Sequence, residues 1–209
     1  MLRERHGTVD VAVLNGAYMP RAGLPAAIDA RPMIEANNHG TLRFLRAMAP
    51  ILGENARLLV VASGFGTLQS LPPALRPLFD TTRQGPEAVD AAMDAFVAAA
   101  ETGSAEAAGW PAWVNIPSKV GQVAVTRAFA KEFSSRAGNP PGILINAACP
   151  GLTLTDATRD FMDTVFKGRT AQTPDEAAID LLWLATLPAG SAAPYAELIQ
   201  HRQVLPFGD

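Results

Sequence analysis

Four short stretches of this chain collect side chains able to do chemistry: "NGAY" (15–18), "ASGFG" (62–66), "CPGLTLTD" (149–156) and "VNIPSK" (114–119). The last holds a pair of interest. Asn115 and Lys119 stand four residues apart at the start of an amphipathic pattern, a spacing that places both on one helix face. An amide releases no proton at accessible pH, so Asn115 cannot act as a general acid, an effect typically worth about 10²–10⁴-fold. Asn115 or Lys119 can still polarise a carbonyl, as an oxyanion-hole donor does. Asn is also a favoured helix N-cap, and Pro117 fits only within a first turn, so capping and ligand contact are both open to Asn115. Tyr18, just past the Asn-Gly-Ala turn, is a candidate acid or substrate contact. His39 reads as a solvated or core-edge side chain, and His6 and His201 have no matching context. No group of residues has metal-ligand spacing.

The elements that must position these residues alternate between two periods. "TVDVAVLNGA" (8–17), "ARLLVVAS" (56–63) and "GILINAACPG" (142–151) are apolar on both faces, as buried parallel strands are. A last strand lies within 196–207. Between them come helices. Asp29 can cap one that carries Pro32 in its first turn and runs through Ile34, Leu42, Leu45, Met48 and Leu52. A second spans about 116–135, with Val120, Val123, Phe129, Ala130 and Phe133 largely on one side. A third opens with Thr173 as N-cap, Pro174 first in the helix and Glu176 closing a capping box. The alternation predicts α/β architecture: a doubly wound parallel sheet with flanking helices, in a single domain spanning 1–209. Residues 71–109 form a helical insert, with its own amphipathic helix at 86–101. Such an excursion covers a functional face, blocks an interface or merely decorates the surface. In open α/β sheets ligands gather at the C-terminal strand ends, where the four stretches fall.

Composition narrows the classes further. The chain has 209 residues, 48% apolar and 18% charged, with a formal net charge of −3. That describes a globular protein without the basic surface that nucleic acids select. No apolar run reaches the roughly 20 residues of a membrane span, and the charged "MLRERHG" start lacks a signal-peptide core. A lone cysteine, Cys149, permits no intrachain disulfide, and a cytoplasmic location is expected.

In order along the chain, "DVAVLNGA", "IEANNHGTLRFLRAMAPIL", "RLLVVASG", "SKVGQVAVTRAFAKE" and "INAACPGLTLTD" resemble the short-chain dehydrogenases/reductases. "GWP" (109–111) and the terminal "IQHRQVLPF" resemble the carbonyl reductase branch in particular. The resemblance covers essentially the whole chain. It implies reduction of a ketone or aldehyde of a small organic molecule by NADP(H). In that family a tyrosine gives a proton to the carbonyl oxygen, and a lysine four residues later holds the ribose and lowers the tyrosine's pKa. A serine binds the carbonyl and an asparagine supports a proton relay. Here the lysine is Lys119, the asparagine is Asn37, the tyrosine position is Asn115, and the serine position falls on Gly64 with Ser63 one residue earlier. By the same resemblance Asn15, Gly16, Lys119, Pro150, Gly151 and Thr155 line the cofactor, and Trp110 closes the pocket. His39, two positions beyond Asn37, points away from the relay.

The family opens with a strand, a glycine-rich turn and a helix that grips the pyrophosphate. No G-x-x-x-G-x-G occurs in these 209 residues, so NADP binding is expected to be weak or absent. The resemblance thus implies an incomplete Rossmann-like doubly wound parallel sheet, in which loss of the family's central first strand would leave 8–15 as an apolar edge open to self-association. Three readings follow: a fragment of a longer reductase, a chain that pairs its edge, or a degenerate relative that survives as a binding or scaffold protein.

Overall fold

The computed structural model describes residues 2–136 and 138–209. Along the chain lie α1 (Leu2–His6), β1 (Val9–Leu14), α2 (Ala26–Ile34), a π-helical turn (Glu35–His39) and α3 (Gly40–Met48). Then come β2 (Leu52–Val61), α4 (Pro86–Glu101), α5 (Asn115–Ser135), β3 (Leu144–Ala148), α6 (Asp156–Arg159), α7 (Pro174–Ala185), β4 (Leu198–Gln200) and β5 (Gln203–Val204). The strands form one sheet in the order β1-β2-β3-β4-β5, parallel except for the β4–β5 pair. This is a Rossmann-like α/β sheet with helices on both faces.

Alternation along β2 assigns those faces. Leu58 and Val60, with Ile145 and Ala147 of β3, enter the main core under α2, α3, α4 and α5. Leu59 and Ala148 point the other way, against Leu184 of α7 and Ile199 of β4. Helix α5 is enclosed on nearly every side, including at Val120, Val123, Ala124, Val125 and Phe129, so its sequence is apolar or small around most of its circumference. At Gly121 an added Cβ would lie 2.5 Å from both Asn38 Nδ2 and Met93 Sδ, which is why this crossing needs glycine. Residues 71–109 do not stand apart from the core. Val89, Met93, Phe96 and Val97 of α4 pack with Leu71, Leu75, Phe79 and Trp110 in the same continuous cluster as the sheet.

Several local expectations are corrected by partners distant in sequence. Asp29 lies inside α2, which begins after Pro25. Its carboxylate accepts the Arg21 backbone N–H (2.7 Å) and the Tyr18 hydroxyl (2.8 Å) rather than capping a helix. Asn115 is the first residue of α5, with Val114 at the cap position and no side-chain cap bond, so the capping reading fails. The last strand divides into β4 and β5 around His201 and Arg202, both at positive φ (50° and 59°), a two-residue reversal that matches sheet twist. Thr173 and Glu176 do form the expected reciprocal box at α7.

Strand β1 pairs with β2 on one side and has no further strand neighbour among the described residues. Its Val11 and Val13 remain 45% and 42% exposed. No helix among the described residues is long and apolar enough to cross a membrane.

Candidate active site

The parallel strands end in a cavity of about 710 Å³, walled by the C-terminal ends of β2 and β3, the first turn of α5, the segment after β3 and the start of α7. Of the residues expected there, Asn15, Ser63, Asn115, Lys119, Pro150, Gly151 and Thr155 line it. Gly16, Tyr18, Asn37 and Trp110 do not.

Each side chain reaches its place for a local reason. Lys119 sits one helical turn after Asn115, so both face the strand ends while the rest of α5 is sealed in the core. The Lys119 Nζ donates to Gln122 Oε1 at 2.9 Å, three residues on along the same helix face. Gln122 Nε2 donates to Thr41 Oγ1 (3.2 Å), which in turn donates to the Asn37 carbonyl (2.6 Å). Burial lowers the Lys119 ammonium to about 8, with Cys149 acting in the opposite direction. Cys149 lines the cavity as a buried free thiol. Burial pushes the Cys149 thiol up, while the amides of Gly151 and Gly64 and the charge of Lys119 pull it back.

Asn115 is 4% exposed, and its Oδ1 is buried without a hydrogen-bond partner. A buried acceptor left unmatched costs about 1–3 kcal/mol, so this amide is poised to receive a donor from a bound molecule. Ser63 lines the cavity with its Oγ accepting the Phe65 backbone N–H at 3.2 Å. A Cβ at Gly64 would meet only Cys149 Sγ at 3.7 Å and Gln200 Oε1 at 3.8 Å, ordinary contacts. Gly151 holds φ +85°, and a Cβ there would lie 2.9 Å from Gln172 Nε2, which donates to the Pro150 carbonyl. Thr155 caps α6 in a box with Thr158.

The residues outside the cavity have clear occupations. Asn37, in the π-helical turn, accepts the Tyr18 backbone N–H (2.8 Å) and donates to the Tyr18 carbonyl (2.9 Å) and Ser118 Oγ (3.2 Å). The extra residue of a π turn also lets adjacent Asn38 bind the Ser118 carbonyl at 2.9 Å. Asn37 therefore ties the 15–21 loop and α5 together. The Tyr18 hydroxyl is committed to Asp29, whose hydrogen bond, with burial and its negative charge, raises the phenol pKa. That removes Tyr18 as a replacement acid. Trp110 is 6% exposed, packed against Phe96 (centroids 5.0 Å) and Phe79 (6.2 Å) in the insert's core, so it does not close the pocket. His39 bridges Glu35 (3.0 Å) and Asp94 (3.4 Å), away from the cavity.

Sequence reasoning missed Gln122, Cys149 as a wall residue, and the pair Phe166 and Arg169. Gln122 was findable from its i+3 spacing to Lys119. Nothing in the irregular stretch 160–172 announced the other two.

A mostly parallel α/β sheet with a buried lysine one turn into a helix at its strand ends is a Rossmann-like arrangement. The chain is similar to carbonyl reductases of the short-chain dehydrogenase/reductase family. It is 26% identical to rat carbonyl reductase (NADPH) 1 over 210 residues, covering 99% of this chain and 73% of that one. It is 29% identical to rat carbonyl reductase (NADPH) 3 over 209 residues, covering 97% and 72%. Salutaridine reductase from Papaver somniferum shares the fold at a TM-score of 0.73 and 17% identity, over 94% of this chain and 74% of that one. No family model matches the chain.

Proposed function

We propose that the cavity reduces a ketone or aldehyde of a small organic molecule with NADP(H), using Lys119 and Asn115 where relatives use a phenol. The observation that carries this reading is the pairing in one cavity of the buried Lys119 ammonium with the unmatched Asn115 acceptor. Both fit the ribose and nicotinamide end of such a cofactor, which offers hydroxyl and amide donors to Asn115 and acceptors to Lys119. Asn15, Pro150, Gly151 and Thr155 would border it. The helix start at α7 is a poorer phosphate seat, because Pro174 has no N–H, the Thr173 hydroxyl accepts the Glu176 amide and the Glu176 carboxylate accepts the Thr173 amide.

When bound, the cofactor supplies the hydride that reaches the carbonyl carbon. The chain's own part is to polarise the oxygen and protonate it. Lys119 Nζ carries the proton, and with its ammonium at about 8 it is charged in most molecules at pH 7. An acid near the working pH is better matched to this transfer than an unperturbed lysine. Asn115 Nδ2 and the Ser63 hydroxyl can donate to the developing oxyanion. Phe65, Leu152 and Phe166 supply apolar wall to the same cavity.

The test is a titration of NADPH followed by its nicotinamide fluorescence. Saturable binding that weakens about tenfold or more in Lys119→Met supports the reading, since a charge-assisted hydrogen bond contributes about 1.5–3 kcal/mol. No change in fluorescence up to millimolar NADPH overturns it. A second reading, a catalytically silent binding or scaffold protein, draws on the amide at position 115. It is favoured if NADPH binds but no carbonyl compound is turned over by the chain. The exposed Val11 and Val13 on the β1 edge support self-association through residues 8–15. Sedimentation of the chain and of Val11→Lys reads this directly, with a monomer at all concentrations as the refuting result.

A further inference from the structure

The cavity wall contains two charged side chains, Lys119 and Arg169, and no aspartate or glutamate. Arg169 is also unlike most arginines of this chain. Arg21, Arg31, Arg43, Arg46, Arg127, Arg136 and Arg159 each lie on a carboxylate. Arg169 forms no ion pair among the described residues, although it lines the site.

Its position is built. A turn in which the Arg169 amide donates to the Phe166 carbonyl at 2.9 Å, with Gly168 at φ +76°, folds the guanidinium back over the Phe166 ring at 6.0 Å. The Phe166 ring is 6% exposed and wedged against Trp113 (6.1 Å) and Phe65 (6.4 Å), so the platform beneath Arg169 is fixed. Phe65 and Phe166 both face the cavity.

Resting on the reductase reading above, we infer that the site selects carbonyl compounds with a flat apolar body and an anionic group, a carboxylate by preference, seated on Arg169. The carbonyl end reaches Lys119 and Asn115, the body lies along Phe65 and Phe166, and the anion meets a planar guanidinium suited to two parallel hydrogen bonds. A neutral analogue leaves Arg169 in solvent and loses that contact alone. The same cation could meet a phosphate of the cofactor, and the experiment separates the two sources.

The probes are 2-, 3- and 4-carboxybenzaldehyde and their methyl esters, bound to the full chain and followed by tryptophan fluorescence, with NADPH affinity measured in parallel. The expected result is that at least one acid binds about tenfold more tightly than its ester at low salt, and that the advantage shrinks as ionic strength rises. Arg169→Gln removes the acid's advantage while ester affinity changes less than about twofold. Arg169→Glu makes the ester the tighter ligand. Equal affinity of every acid and its ester overturns the inference, as does an Arg169→Gln loss confined to NADPH, which would assign the cation to the cofactor's phosphate. The binding readout needs no turnover. Failure of the reductase reading therefore shows as absent NADPH binding, and failure of this inference as absent acid preference.

Discussion

Replacing Asn115 with tyrosine asks whether the missing phenol is all that separates this cavity from an efficient reductase. The backbone there is helical already, and Asn115 makes no cap bond that the change would sacrifice. Its side chain opens onto about 710 Å³ of cavity, so a ring has room to enter. The new hydroxyl would stand one helical turn from Lys119, whose positive charge favours the phenolate and lowers the tyrosine pKa from its ordinary value near 10. A placed general acid is worth about 10²–10⁴-fold, or about 3–5 kcal/mol of barrier. The variant should therefore raise single-turnover NADPH oxidation about a hundredfold or more with benzaldehydes. Its pH profile should lose activity on the alkaline side as the phenol ionises. Gly64→Ser can be added at little steric cost, because the new Cβ meets nothing closer than 3.7 Å. The two changes act on one oxygen, so their effects should not simply add. Thermal melts and NADPH fluorescence verify that the variant is folded and loaded. A folded, NADPH-binding Asn115→Tyr chain with a gain under about threefold across pH 6–10 would refute the reasoning, and would mean that the cofactor and carbonyl do not meet at this wall.

Other perturbations test the supports of the site. Lys119→Met should stabilise the fold at pH 7 by about 3 kcal/mol, since a folded-state pKa near 8 against about 10.5 unfolded means that the buried ammonium is carried at a cost. Because this pKa is lowered, the unfolded chain binds more protons between about pH 8 and 10.5, and wild-type stability rises through that window. The variant's advantage should shrink accordingly, and chemical denaturation at pH 7 and 10 reads it; an advantage that grows with pH contradicts the assignment. Gly66→Ala should destabilise by several kcal/mol, as its Cβ would lie 2.5 Å from Val123 Cγ2 and 2.9 Å from the Lys119 carbonyl. A melting temperature within a degree of wild type would show that β2's end and α5 are less closely seated.

What the sequence could and could not disclose follows from where each residue finds its partner. Mostly apolar runs marked β2 and β3, because a strand buried on both faces is apolar at most positions, Arg57 and Asn146 being buried exceptions. Helix 86–101 and the Thr173–Glu176 box were legible because the interactions that form them lie within a few residues. Asp29 and Trp110 were misplaced for the opposite reason. A good capping residue was claimed by Arg21 and Tyr18, and a tryptophan beside a site-like motif was claimed by Phe79 and Phe96. Arg169 was silent because its position depends on a turn and an aromatic wedge that no local pattern encodes.

Asn115 and Lys119 differ from all of these. Their positions followed from spacing, yet the structure gives both an unfavourable environment: an amide that could cap a helix but does not, and an ammonium kept almost out of water. A chain under selection for stability alone would replace either one cheaply. Local rules broken side by side, in a cavity where the strand ends converge, are the physical reason to test both residues for ligand binding.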